Sequence, residues 1–169
     1  QYSMNNNIFF IFCHQDDEFG LFNVIENATK KQKNVFVIYL TSGLINKNQN
    51  IKNKLLQRDK ESLNVLLRLG VKRNNIFFLG KKLNIPIYYL YKYLIVVYRE
   101  LNKFLKKYPG KKTIYTHSWE GGNEDHDACF LIIKKIIHHN LKTVKAYEFS
   151  QYHNFKSNFL PYKVQSFIL

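Results

Sequence analysis

Two short stretches hold most of the chemistry available to this chain: HQDDE at residues 14–18 and THSWEGGNEDHD at 116–127. Seven of the twelve acidic residues lie in them (Asp16, Asp17, Glu18, Glu120, Glu124, Asp125 and Asp127), as do three of the six histidines, His14, His117 and His126. The formal net charge is +14, so gathering the acids in two places needs a physical reason. Adjacent carboxylates repel, and they resist leaving water unless a cation neutralises them. A divalent metal meets that need. His, Asp and His supply three protein ligands and leave a fourth position for water, the pattern of a catalytic zinc site. His14 and Asp17 are near enough in sequence to share one ion from a single loop. His126 would join them from the start of a helix whose inward ridge continues through Phe130, Ile133 and Ile137. A zinc-bound water has a pKa of about 7, and Asp16 sits beside the ligands, placed to take its proton as general base.

Simpler roles compete for the same residues. Asp16 and Glu18 suit the positive N-terminus of the helix that follows them, and Asp125 and Asp127 that of a later helix. His126 alone would serve equally as a hydrogen-bonded interior histidine. His138 and His139, on the lysine-bearing part of the same helix, read as solvated. Capping accounts for each cluster separately, but not for both at one edge of a sheet.

The elements that must position these residues alternate along the chain. Ile8 to Cys13 is six apolar residues without alternation, a strand buried on both faces. Phe19 to Lys31 carries Leu21, Phe22, Ile25 and Ala28 at helical spacing. NVFVIYLTSG is a second buried strand closing on a Ser-Gly turn. NKLLQRDKESLNVLLRLG is a helix with Leu56, Leu63, Leu66 and Leu67 facing inward, stopped by Gly70. NIFFLG is a short third strand, and Ile87 to Tyr108 a long helix ended by Pro109-Gly110. KKTIYTH, DHDACFLIIKKIIHH and KTVKAYEFS complete the pattern as strand, helix and strand. Repeated β-α units predict an α/β fold, a Rossmann-like three-layer αβα arrangement around a mostly parallel sheet. Ligands bind such sheets beyond the carboxyl ends of the strands, which is where both clusters fall.

Bulk properties narrow the function. A content of 46% hydrophobic and 16% aromatic residues is that of a globular protein. The 169 residues suit one domain; residues 1–3, ahead of Met4, read as a tag remnant, so that domain is expected over 4–169. No apolar run approaches the roughly 20 residues of a membrane-spanning helix, and no signal-peptide pattern is present. Cys13 and Cys129 both lie in apolar stretches and read as buried free thiols. The expected location is therefore the cytoplasm or the cytosolic face of a membrane. The basic charge comes from 22 Lys against 4 Arg, scattered without a run or a recognisable nucleic-acid module, as AT-rich coding produces. Nucleic acid is not expected as a partner. Neither GxGxxG nor GxxxxGK(S/T) occurs, and there is no GxSxG elbow.

CHQDDE after a first strand resembles the A-H-P-D-D-E signature of the LmbE-like, or PIG-L, family of zinc-dependent N-deacetylases acting on N-acetylglucosaminyl conjugates. Further motifs agree in order. TSG matches the family's T-x-G turn, RDKESLNVLLRLGV its R-x-x-E helix leading to L-G, and THSWEGGNEDHDA its G-G-H-P-D-H motif. YEFSQYH resembles a later stretch with an acid followed by Tyr-His. The resemblance runs from Ile8 to His153. It implies His14, Asp17 and His126 as zinc ligands, Asp16 as the general base, and Arg58 as a substrate-holding arginine oriented by Glu61. Glu18 and Trp119 are expected to contact substrate as well. Gln15 replaces the usual proline, and Asn123 stands where many members have the first His of H-x-D-H, tied to oxyanion stabilisation or proton transfer. Asn123 can donate a hydrogen bond but carries no transferable proton. Either it acts as a neutral donor, or His117 or His153 takes over that task, or activity is reduced. The chain also ends early for this family, so part of the substrate pocket is expected to be missing.

The expected activity is zinc-dependent removal of the acetyl group from an N-acetylglucosamine-type conjugate. The alternatives are a Mg2+-dependent phosphoryl-transfer enzyme using the same carboxylates, and a carbohydrate- or anionic-lipid-binding module weakened in catalysis at Asn123.

Overall fold

The computed structural model describes residues 7–43, 49–140 and 143–151. Five strands, β1 (Asn7–Phe12), β2 (Asn34–Tyr39), β3 (Ile76–Phe78), β4 (Lys112–His117) and β5 (Val144–Phe149), form one sheet in the order β3-β2-β1-β4-β5. Every neighbouring pair is parallel, so the expected three-layer α/β fold is present with an all-parallel sheet. Helices α1 (Phe22–Lys30) and α2 (Gln49–Arg68) cover one face. The short α3 (Leu79–Lys82), α4 (Leu94–Lys106) and α5 (Glu124–Asn140) lie on the other.

β1 is the central strand and its lack of alternation now has its cause. Phe9, Ile11 and Cys13 enter the core under α4 and α5, while Phe10 and Phe12 enter the core under α1 and α2. Aromatic pairs lock its register. Phe9 stacks on its β2 partner Phe36 at 4.9 Å, Phe10 on Tyr115 of β4 at 4.9 Å, and Tyr115 on Tyr147 of β5 at 5.1 Å. Such pairs contribute about 0.5–1.5 kcal/mol each beyond their burial, and they hold the carboxyl ends of β1 and β4 level with each other. Cys13 and Cys129 are both buried and free. Among the described residues no helix is long and apolar enough to cross a membrane.

Four local expectations are corrected. The helix read from Phe19 is preceded by a 3-10 turn, Asp17–Leu21. The helix read from Ile87 begins only after a 3-10 turn at Leu90–Tyr93, because Tyr88 takes a left-handed backbone (φ 67°) that no helix accommodates. Among the described side chains of α2 the buried ones are Asp59, Ser62 and Leu66, with Leu63 packed beside them, whereas Leu56 and Leu67 are exposed. At 3.6 residues per turn the buried face lies roughly 80° from the Leu56–Leu67 side, and it is partly polar because it faces the site.

The third strand also ends earlier than expected, turning into α3 at Leu79-Gly80. A Cβ on Gly80 would lie 2.3 Å from the backbone of Leu40 and Thr41, which cannot yield as a side chain would. Gly80→Ala is expected to destabilise the fold by about 1–3 kcal/mol in denaturant unfolding. Gly122→Ala, which meets nothing within 4 Å, should be near neutral.

Candidate metal centre

The loops following β1 and β4 meet where the strand order reverses: β2 and β3 lie to one side of β1, β4 and β5 to the other. Open parallel sheets bind ligands in the crevice at such a switch point. Both clusters arrive here, residues 13–18 from the end of β1 and residues 117–127 from β4 into the first turn of α5.

Asp17 is the centre of the arrangement. It is buried, and its two oxygens have different tasks. Oδ2 accepts the peptide N–H of Cys13 at 2.9 Å, that of His14 at 2.7 Å, and Nε2–H of His117 at 2.9 Å. These bonds exist because the chain turns sharply after β1 and folds Asp17 back over the peptide groups at the strand end. Oδ1 faces Nδ1 of His14 and Nε2 of His126, each 3.6 Å away.

Each of those histidines is held from behind by a carboxylate. His14 donates from Nε2 to Asp125 Oδ2 at 2.9 Å, and Asp125 is fixed by the N–H groups of Tyr88 at 2.7 Å and Leu90 at 3.0 Å. His126 donates from Nδ1 to Glu120 Oε2 at 2.8 Å, and Glu120 Oε1 accepts the N–H of Gln151 at 2.7 Å. Carboxylate–histidine pairs of this kind set the tautomer and raise the basicity of the nitrogen that faces a metal. His117 stacks on His126 with ring centroids 3.7 Å apart and planes at 13°.

The donor set fits a divalent metal. Ligand atoms about 2.0–2.1 Å from a tetrahedral zinc lie about 3.3–3.4 Å apart, close to the two 3.6 Å separations around Asp17 Oδ1. Asp16, His14 and Asp17 form one group of donor atoms within 4.8 Å of one another, and His126 is not part of it. A second group, Cys13, Asp17, His117 and His126, is also close enough to hold an ion. That group is wholly buried, and Cys13 already donates to Asp125 O at 3.1 Å. A catalytic site needs an open coordination position, which favours His14 over Cys13.

Proton affinities follow the same geometry. Burial alone would lower the pKa of His14, but its bonds to Asp125 and Asp17 outweigh it and raise it to about 10. Burial likewise opposes the charged form of His126, and Asp17 and Glu120 carry it up to about 9. Burial would raise Asp17; the charge and hydrogen bond of His117, with those of His126 and His14, hold it well below the carboxylate range. Burial lowers the pKa of His117 against the opposing pull of Asp17.

Around this centre the other expected residues take distinct places. Asp16 makes no capping bond to the turn it precedes; Arg58 reaches its Oδ2 at 3.1 Å and also contacts Gly43 O at 3.5 Å. Glu61 bonds to Gln57 instead of Arg58. Glu18 is buried beside Tyr39 and Ser62, its pKa raised by that burial, so its carboxyl lies away from the exposed rim. Trp119 is exposed, edge-on to Phe130. Asn123 caps α5, its Oδ1 accepting the N–H groups of Asp125 and His126 at 3.2 Å each. His153 lies outside the described residues.

Residues 9–137 match the family model described as PIG-L: GlcNAc-PI de-N-acetylase. The chain belongs to the PIG-L family. No curated protein sequence matches it significantly. Among solved structures it is similar to the N,N'-diacetylchitobiose deacetylase of Pyrococcus horikoshii bound to an inhibitor (TM-score 0.68, 16% identity, 89% of this chain and 62% of that one). It is similar too to a triple mutant of a deacetylase of the teicoplanin biosynthetic pathway (TM-score 0.67, 16% identity, 86% and 64%). A third is the zinc-inhibited form of teicoplanin deacetylase (TM-score 0.67, 15% identity, 86% and 67%). At these identities the likeness shows a shared fold, and the chain spans less than two thirds of the length of the first two.

Several residues that hold this PIG-L family site were read from sequence as something else or passed over. Asp125, read as a cap, grips His14; Asp127, read likewise, accepts the N–H groups of Glu120 at 2.7 Å and Gly121 at 3.2 Å and so shapes the loop carrying Glu120. Gln15 is buried, donates to Asp59 Oδ1 at 2.9 Å, and fills the space that a Cβ on Gly43 (φ 79°) would need. Asp59 is in turn ion-paired with Lys81. Gln15 thus ties the ligand loop to α2 beside Arg58.

Removing Asp125 should act through His14. Asp125→Asn is expected to weaken zinc binding about 10–100-fold by competition with a chelating dye, while the unrelated Asn102→Asp leaves it unchanged. The pH dependence has a definite sign. Folded-state values of about 10 for His14 and about 9 for His126 lie above the unfolded value of about 6.5. Their contribution to the metal-free fold is complete below about pH 6.5 and is lost as the pH rises through about 9 to 10. A zinc ion held here would compete for the same nitrogens, so its increment to the thermal midpoint should grow from pH 6.5 to 9. An increment independent of pH would contradict these ligands.

Proposed function

We propose that this chain is a metal-dependent N-deacetylase acting on an N-acetylated amino-sugar conjugate. What chiefly supports it is Asp17 Oδ1, 3.6 Å from both His14 Nδ1 and His126 Nε2, each side chain held from behind, with Asp16 grouped beside His14 and Asp17. Membership of the PIG-L family supports the same reaction class. Two imidazoles and one carboxylate favour zinc over magnesium, which prefers an all-oxygen shell. Zinc bound there would lower the pKa of water to about 7 and polarise the acetamide carbonyl.

The chain's own residues supply the proton movements. Asp16, whose side chain is 68% exposed and faces Arg58, takes the proton of the attacking water. It then gives that proton to the amine nitrogen as the C–N bond breaks, leaving acetate and a free amino sugar. Arg58 keeps Asp16 aimed, and its remaining N–H groups serve the sugar or an attached anionic group. Asn123 spends its Oδ1 on the cap of α5, so its Nδ2 is the atom to donate to a developing oxyanion. His117 acts as a positioning residue through Asp17. Trp119 offers an exposed ring on the loop beside the site for a sugar face.

Acetate release from N-acetylglucosamine conjugates, measured with zinc and with chelator, tests this reading. Asp16→Asn should lower kcat by about 10^2–10^4 with zinc content unchanged, whereas His126→Ala should lose both zinc and activity. Near-normal turnover by Asp16→Asn with zinc bound would contradict the role of Asp16.

A further inference from the structure

One exposed surface is built of side chains that take no part in the metal site. From residue 83 to 99 the chain contains Lys92 and Arg99 and no acidic residue, while Lys81 and Lys82 just before this segment are paired with Asp59 and Glu100. Within it Tyr88, Tyr89 and Tyr91 are exposed on the loop before α4, and Ile95 and Val96, 66% and 46% exposed, follow in its first turn. Leu131 of α5 is exposed as well, and a groove of about 440 Å³ between α4 and α5 is lined by Leu94, Ile95, Tyr98, Arg99, Leu131, Ile132 and Lys135, again without an acid. Cations border the apolar side chains closely. Lys92 Nζ lies 4.7 Å from the Tyr89 ring and 5.7 Å from the Tyr91 ring, and Lys135 Nζ lies 5.6 Å from that of Tyr98.

We propose that this surface docks the protein peripherally on an anionic lipid bilayer. Tyrosine rings settle at the headgroup level of a membrane. Exposed Ile and Val enter the acyl boundary, while lysine stems lie along apolar surface and carry their charge to the lipid phosphates. A negatively charged leaflet complements a patch that presents Lys92, Arg99 and Lys135, with Glu100, the residue after Arg99, paired to Lys82. Soluble sugars offer nothing to cover Ile95, Val96 and Leu131, so carbohydrate alone does not account for the aliphatic half.

The patch is also joined to the metal centre. Tyr88 and Leu90 donate their N–H groups to Asp125, the carboxylate behind His14. Tyr88 holds φ 67° to do so, a costly conformation for a bulky residue that persists only where its surroundings impose it. The loop that exposes the tyrosines is thereby fixed to the site's rim, and a docked chain would present its metal centre near the lipid headgroups.

Co-sedimentation with vesicles of phosphatidylcholine, with and without phosphatidylserine, tests the proposal independently of catalysis. The full chain should partition onto the phosphatidylserine vesicles, less so as salt is added. Ile95→Asp combined with Val96→Asp, and separately Lys92→Gln combined with Lys135→Gln, should each weaken that partition about tenfold or more. Both pairs are exposed, so thermal midpoints should hold, and turnover of a soluble N-acetyl sugar by the Ile95→Asp/Val96→Asp chain should match the unaltered chain. No partition by the unaltered chain, or partition indifferent to both variants, would overturn the proposal. So would self-association of the chain abolished by the Ile95→Asp/Val96→Asp pair without vesicle binding, which would make the patch a contact between two copies.

Discussion

The site depends on the unequal use of one carboxylate. Asp17 Oδ2 is committed to two peptide N–H groups at the end of β1 and to His117, which leaves Oδ1 to face His14 and His126. A carboxylate free to rotate could not define a coordination point, and one with both oxygens saturated could not hold an ion. The sharp turn out of β1 is what enforces the difference. It requires β1 at the middle of the sheet, with β4 level beside it so that His117 reaches back. The aromatic stacks across β2, β1, β4 and β5 keep that register. Hydrophobic packing and metal chemistry are thus linked through the position of a single strand end.

Charge balance at this point explains the acids in a basic chain. Asp17, Asp125 and Glu120 surround two imidazoles whose proton affinity is raised to about 10 and about 9. Such a cluster attracts positive charge, whether protons or a metal ion. The carboxylates behind His14 and His126 belong to different segments, the first turn of α5 and the loop before it, and each is anchored by backbone N–H groups from elsewhere. The nitrogens proposed as ligands are therefore oriented before any ion arrives, which would spare the binding step the cost of ordering them.

Much of this was legible in the sequence, for identifiable reasons. Strands buried on both faces write themselves as unbroken apolar runs, so β1 and β2 could be read directly, and the alternation of β and α elements implied a parallel sheet with its ligands at the strand ends. His14, Asp16, Asp17 and His126 stood out because their type and spacing do not suit a core. The positioning residues were hidden by distance along the chain. Asp125 looks like a helix cap until Tyr88 and His14, 37 and 111 residues away, are brought to it. The buried face of α2 was misjudged because leucines were counted as inward, whereas the helix turns Asp59 and Ser62 toward the site. Asn123 carries the cap instead, a local role that its residue type does favour.

The central claim is that the metal is held by His14, Asp17 and His126 rather than by the buried group that includes Cys13. X-ray absorption at the zinc edge of the metal-loaded chain separates the two directly. A first shell of nitrogen and oxygen alone, at about 2.0–2.1 Å, is the predicted result. A sulfur neighbour at about 2.3 Å would place Cys13 in the shell and contradict the account.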